Sequence, residues 1–190
     1  MFTRRIRDDL ELQLTIPRFA PEVFRLVESN RAHLREWLPW LDVNLTESDT
    51  RAHQESLIQA YAKNEVVHCA IFHNGRIVGV AGYNSVDWET RTGLLGYWLE
   101  QASMGKGIMT ASISELMKIG FREQGMRKIL IRIATGNIRS RAIPIRLGFK
   151  EEGVLKDAEN LYGTFVDHVV YGMTQADFLA ESSAASDPGK

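Results

Sequence analysis

The sequence has one cysteine, Cys69, in 190 residues. No disulfide can form within the chain, which excludes a disulfide-stapled scaffold and fits a reducing compartment. Cys69 sits in an apolar run, where a thiol is expected to be buried and inert. Long hydrophobic runs are also missing: nothing approaches the ~20 apolar residues that cross a bilayer. The basic start, Met1 to Arg7, leads into Asp8 and Asp9 rather than into the apolar stretch of a signal peptide. Neither sign of charge dominates, with 23 Lys and Arg against 24 Asp and Glu and a net charge of -1. A nucleic-acid binder that works by neutralising phosphates would carry a basic excess. The five histidines are scattered, without an H-x-x-x-H pair or comparable cluster, so no metal is expected. A Walker loop is absent, which excludes a P-loop hydrolase, and Gly105-Lys106-Gly107 does not complete the G-x-G-x-x-G dinucleotide fingerprint. These absences point to a cytoplasmic protein with neither nucleic-acid nor membrane partners.

What is present reads as one domain, residues 1–176, followed by a flexible Ala- and Ser-rich tail, residues 177–190. Leu10, Leu12, Leu14 and Ile16 alternate as on a strand. Pro21 suits the first turn of a helix over Glu22 to Ser29. A short helix is expected near His33 to Trp37, and a longer one, capped by Thr46, Ser48 or Asp49, ends near Asn64. Strands follow over Val66 to Phe72 and Ile77 to Asn84, joined at Asn74-Gly75, the strongest short hairpin signal. Thr92 to Glu100 reads as the next strand. The pattern then becomes helical from Gly105 to Gly125, with Met109, Ile113, Leu116 and Met117 on one face. Lys128 to Ala134 is a strand, Ser140 to Leu147 a short helix, and Lys150 to Leu155 and Phe165 to Met173 two last strands. This order predicts an α/β fold (α+β by some schemes), with a mixed, mostly antiparallel sheet of about six to seven strands flanked by helices.

Two segments carry chemistry. In Gly96-Tyr97-Trp98-Leu99-Glu100-Gln101-Ala102-Ser103-Met104-Gly105-Lys106-Gly107-Ile108-Met109-Thr110, a strand runs through a glycine loop into a helix. Free N–H groups at a helix start attract anions and glycine lets backbone approach them, so a pyrophosphate fits here and Lys106 adds a charge. The second is Asn137-Ile138-Arg139-Ser140, continuing through Leu147-Gly148-Phe149 to Glu152-Gly153. Together with Arg35-Glu36-Trp37-Leu38-Pro39-Trp40 these segments resemble the GNAT family of N-acetyltransferases, and more narrowly its RimJ/RimL-type ribosomal-protein N-terminal acetyltransferases. The resemblance runs from about Leu12 to Met173. Against the family's [QR]-x-x-G-x-[GA] loop, Met104 is read in place of the Gln or Arg and Met109 in place of the small residue.

The resemblance implies the acyl-CoA N-acyltransferase fold, acetyl-CoA as cosubstrate, and direct transfer of an acetyl group to a primary amine, above all a protein N-terminus. It implies contacts to acetyl-CoA from Trp98, Leu99, the loop Met104 to Thr110 (Gly105, Lys106, Gly107, Ile108 and Met109 between them), Asn137, Ser140 and Ile143. Such transfer needs a neutral amine, a polarised thioester carbonyl and a protonated leaving thiolate. The backbone near Leu99 is expected to bond the carbonyl, Ser140 the departing sulfur, and Asn137 the pantetheine or a water. By the resemblance Glu159 is the base. Asn137 also reads as a helix cap and Ser140 as a first-turn residue, and both roles can coexist. Glu36, Trp37 and Trp40 are placed on the acceptor groove, where aromatic walls and a carboxylate suit a cationic amine. His68 reads as structural and His168 as a weaker site candidate. Asp167, next along the same strand, would face away from it. Two alternatives remain: an acetyltransferase for a polyamine or amino-sugar antibiotic, or a catalytically silent CoA-binding interaction protein. Relatives of this kind often form homodimers.

Overall fold

The computed structural model describes residues 3–185, with side chains through residue 180. Eight strands form one sheet in the order β1-β2-β3-β4-β5-β6-β8-β7, one more than the upper expectation. The extra strand is β1, Thr3–Arg7, paired antiparallel to β2, Leu10–Leu14. Its Thr-Arg-Arg-Ile-Arg sequence hides the pattern, but Ile6 packs against the core and Arg4 reaches Glu123 at 2.6 Å.

After β2 come α1 (Ala20–Ser29), α2 (Arg31–Arg35) and α3 (Glu47–Ala62). Thr46 starts α3 through a reciprocal capping box with Asp49, which satisfies otherwise orphaned N–H groups. Strands β3 (Val67–His73), β4 (Arg76–Asp87) and β5 (Thr92–Leu99) form an antiparallel meander. Helix α4 (Ile108–Lys118) passes into a π-turn over Ile119–Glu123. Strand β6 (Lys128–Ala134) pairs parallel to β5 and is followed by α5 (Ile138–Arg146), β7 (Lys150–Leu161), β8 (Thr164–Thr174) and α6 (Gln175–Ala185). Residues 177–185, read from sequence as flexible tail, thus continue a helix. Phe178 anchors it by packing on Phe121, with ring centroids 5.0 Å apart. Residues 186–190 lie outside the described residues.

Two cores form because the sheet is covered on both faces. One joins the sheet to α4: Leu10 and Leu12 from β2, Ile129, Ile131 and Ile133 from β6, and Ile113 and Leu116 from the helix. The other joins it to α1 through Val23, Leu26 and Val27, with Leu34 and Leu41 beyond. Cys69 is buried in the first core, where burial pushes its thiol up to about 12. Among the described residues no helix is long and apolar enough to cross a membrane.

Candidate active site

The site begins as a gap in the sheet. Pairing between β5 and β6 runs from Thr92↔Lys128 to Leu95↔Ile131. Beyond it β5 stays with β4, as in Val80↔Trp98, while β6 stays with β8, as in Ala134↔His168. The two parallel strands therefore part and leave a wedge. The Glu100 N–H donates to the Val78 carbonyl at 2.8 Å, on the β4 side. By alternation the N–H groups of Tyr97 and Leu99 face the wedge.

The loop from β5 to α4 borders this wedge. Gly105 and Gly107 have φ of +74° and +72°, in the left-handed region that glycine occupies without strain. Nothing lies within 4 Å of where a Cβ would stand at either position. Gly107 caps α4 without any side-chain bond to the helix N–H groups, and the first turn carries no acidic residue. Such a cradle of free N–H groups fits a pyrophosphate. Lys106 stands in the loop, and Arg146 Nη1 donates to Thr110 Oγ1 at 3.2 Å, adding a second cation from α5. The Ile108 and Met109 side chains are buried in the core, so these two residues can meet a ligand through backbone alone. Aligned on Gly105 and Gly107, the loop pattern places Ala102 at its first position and Gly107 at its last. This corrects the reading of Met104 and Met109 as the substituted positions.

The loop is tied down by a residue that the sequence did not single out. Glu100 is only 5% exposed. It accepts hydrogen bonds from both terminal nitrogens of Arg76 and from Ser103 Oγ. The Arg76 guanidinium holds its carboxyl below the usual carboxylate range.

A cavity of about 790 Å³ continues from the wedge across the α1 face of the sheet. It gathers Trp37, Trp40, Trp98, Asn137, Ser140 and Glu159. Trp40 and Trp98 lean together with ring centroids 6.4 Å apart, and the Trp37 ring lies 3.1 Å from where a Cβ on Gly136 would stand. Asn137 Oδ1 accepts the Ser140 N–H at 3.1 Å, and the Tyr97 hydroxyl donates to the Ser140 carbonyl at 3.0 Å. The α5 start is therefore fixed to β5 across the wedge. Leu99 and Ile143 pack against the first core instead of lining the cavity. Glu36, placed on the groove from sequence, is exposed at the end of α2 and outside the cavity lining.

Glu159 does reach the cavity, although from a strand rather than the expected loop. Register shifts between Leu155↔His168 and Glu159↔Val166, with Lys156, Asp157 and Ala158 opposite Asp167 alone. Asp157 has φ of 47° there, and its N–H donates to Asp167 Oδ1 at 3.0 Å. The bulge brings Glu159 Oε2 to 3.1 Å from His168 Nε2, and both line the cavity. Asp167 faces away, pairing with Lys156 at 2.7 Å, as alternation requires. The hairpin beyond closes the cavity wall: Tyr162 Oη donates to the Leu38 carbonyl at 2.9 Å, and the Arg35 guanidinium stacks 3.8 Å from the Tyr162 ring centre.

The sequence and the fold have counterparts among known proteins. Residues 10–150 match the acetyltransferase (GNAT) domain model. The chain belongs to the GNAT acetyltransferase family. It is an acetyltransferase, and acetyl-CoA is its cosubstrate. Within this family it is similar to YdaF of Bacillus subtilis, 29% identical over 95% of this chain and 100% of that one. It is also similar to the ribosomal-protein-serine acetyltransferase of Escherichia coli, 25% identical over 89% of this chain and 94% of that protein. Among solved structures, RimL, a ribosomal alpha-N-protein acetyltransferase in complex with coenzyme A, superposes with a TM-score of 0.89. It is 28% identical, covering 93% of this chain and 99% of that one.

Proposed function

We propose that this acetyltransferase moves the acetyl group directly onto the N-terminal α-amine of a protein, of the ribosomal-protein kind named for its relatives. The observation that carries this reading is the shared cavity. Asn137 and Ser140 at the α5 start face the same space as Glu159 and His168 on the far hairpin.

Acetyl-CoA supplies an acyl group already activated as a thioester. The N–H groups at the start of α4, with Lys106 and Arg146 beside them, hold its pyrophosphate. The N–H of Leu99 or Tyr97, facing the wedge, bonds the thioester carbonyl as negative charge develops there. Glu159, aligned by His168, takes the proton from the incoming ammonium. Ser140 Oγ stands on the opposite wall to bond the departing sulfur. Trp37, Trp40 and Trp98 wall the approach and position the amine, which is the larger share of catalysis between two bound reactants. An α-amine titrates near 7.7–8 against ~10.4 for a lysine side chain, so a single carboxylate is enough help at neutral pH. With a ribosomal protein as its acceptor, the enzyme works in the cytoplasm.

The test is an acceptor screen with acetyl-CoA against N-terminal peptides, lysine peptides, polyamines and aminoglycosides, read by mass. Acetylation of peptide N-termini above the rest supports the reading. Turnover confined to a polyamine or an aminoglycoside, or no acetylation of any peptide N-terminus, overturns the acceptor.

A further inference from the structure

The cavity extends well beyond the reacting groups. Its other end is made of polar side chains that no step above uses. Gln54, on α3, is 1% exposed, and neither its amide nitrogen nor its amide oxygen has a hydrogen-bond partner among the described residues. Thr15, just past β2, is 3% exposed with an equally unpartnered hydroxyl. Both line the cavity. Buried polar atoms are satisfied in native proteins with few exceptions, because an orphaned one carries its full desolvation cost. Two such side chains facing one cavity point to a ligand group that completes them.

The sheet fixes where this end lies. His68 pairs with Gly82, and Gly82 with Gly96, so a row crosses from β3 to β5 at the mouth of the wedge. Thr15 continues it, its N–H donating to the His68 carbonyl at 2.8 Å. Along this row the Asn84 carboxamide lies against Gly96, where a Cβ would collide with it. Two strand spacings separate His68 from Gly96, roughly 10 Å. An extended peptide advances about 3.3 Å per residue. A chain whose amine sits in the wedge therefore brings its fourth residue over His68, with the third within a side chain's reach of it.

The chemistry here is neutral. Burial holds the His68 imidazole down at about 4, so it is uncharged at neutral pH. Asp49, also on the cavity wall, has its carboxylate committed to the N–H groups of Leu45 and Thr46. Asn84 and the neutral His68 ring hydrogen-bond each other, and beside them Gln54 and Thr15 offer both donors and acceptors with no counter-charge.

We propose that Thr15, Gln54 and His68 form a subsite that reads an uncharged hydrogen-bonding side chain, a hydroxyl or carboxamide, on the third or fourth residue of the acceptor. This rests on reading the cavity as the groove for an N-terminal peptide. The test uses the full chain with peptides that begin with one fixed residue and carry Ala, Ser, Asn or Lys at the third or fourth position. For the wild type, kcat/KM for Ser or Asn at one of these positions exceeds that for Ala by about tenfold, the scale of a buried neutral hydrogen bond, and Lys is poorest. Gln54→Leu removes the amide at similar volume. Its thermal midpoint is unchanged or higher, because an orphaned polar group has been removed, while the Ser-to-Ala and Asn-to-Ala ratios fall to about one. Thr15→Val shifts the ratios in the same direction. A wild type that acetylates these peptides without preference overturns the subsite, as does a Gln54→Leu variant that keeps the preference or loses several degrees of stability. If the wild type acetylates none of the peptide N-termini, the broader reading of the groove fails instead.

Discussion

Glu159 shows what a single residue's number in the sequence conceals. Alternation along β8 correctly separates Asp167 from His168, and the partner of His168 then arrives from another strand. The 3.1 Å approach of Glu159 depends on the bulge at Lys156–Ala158, and no pattern within either strand announces it. A positioned proton-transfer group typically contributes about 10²–10⁴-fold in rate. Glu159→Gln should lower kcat by roughly 10²-fold at neutral pH, with coenzyme A affinity little changed, and the deficit should shrink at high pH where the amine deprotonates unaided. Ser140→Ala should leave a deficit that persists there, since a leaving thiolate still benefits from a donor. His168→Gln should cost less than Glu159→Gln and add little to it in the double variant, because both report on one unit. pH–rate profiles check all three, and independent, additive losses would mean that His168 acts on its own. The tryptophans separate by packing. Trp40 leans on Trp98 and the second core, so Trp40→Ala should lower stability as well as acceptor binding. Trp37→Ala should raise the acceptor KM more than the acetyl-CoA KM with a smaller change in melting temperature.

The elements were legible in proportion to how local their signals are. Strand β6 was expected over Lys128 to Ala134 and is found there, because Ile129, Ile131 and Ile133 alternate against polar neighbours. Thr46 was one of three expected caps beside Ser48 and Asp49, and the reciprocal bond with Asp49 three residues on is what selects it. Strand β1 was missed because three arginines in five residues suggest a solvated terminus, and only pairing with β2 makes it a strand. Gln54 was invisible for a related reason: α3 has a polar inner face, with Thr50 and Gln54 buried one turn apart, and apolar periodicity cannot find such a face. The glycine loop is the opposite case, since its sequence and backbone agree. At Gly107 any Cβ would enter open space, so the strain of a substitution is confined to the left-handed backbone, roughly 1–2 kcal/mol. Gly107→Val should therefore fold, while its β-branched side chain fills the cradle at the start of α4. Calorimetric titration should find coenzyme A binding lost, and unchanged affinity would remove the pyrophosphate from this loop.

At the scale of the whole molecule, two sets of groups divide the acid side of the stability curve between them. His68 lies between the sheet and α3, and burial, with a smaller push from His53, lowers its folded value to about 4 from an ordinary 6.5. The unfolded chain therefore takes up a proton near pH 6.5 that the folded chain refuses until about pH 4. Between those values the unfolded state binds more protons, so stability falls as pH falls, by at most about 3 kcal/mol for this one group. Above pH 6.5 the group has no effect on the slope. The surface carboxylates act lower. Asp177, held down to about 2 by Lys150 and then Thr174, contributes stability that is present above its unfolded value of 3.8 and is lost toward pH 2. Thermal unfolding of the wild type should accordingly decline in two stages, one from pH 6.5 to 4 and one below it. His68→Gln keeps a polar side chain of similar reach but cannot titrate, so it should make the first stage shallower, with His53 still lowered by burial, and leave the second. Asp177→Asn should leave the first stage and make the second shallower, since Asp42, Asp49, Asp87 and Asp167 are also held low. A His68→Gln protein whose melting temperature still falls between pH 6.5 and 4 as steeply as the wild type would mean that the imidazole is protonated in the folded chain. The polar end of the cavity would then carry a positive charge, and the acceptors it admits would be those with an acidic rather than a neutral side chain.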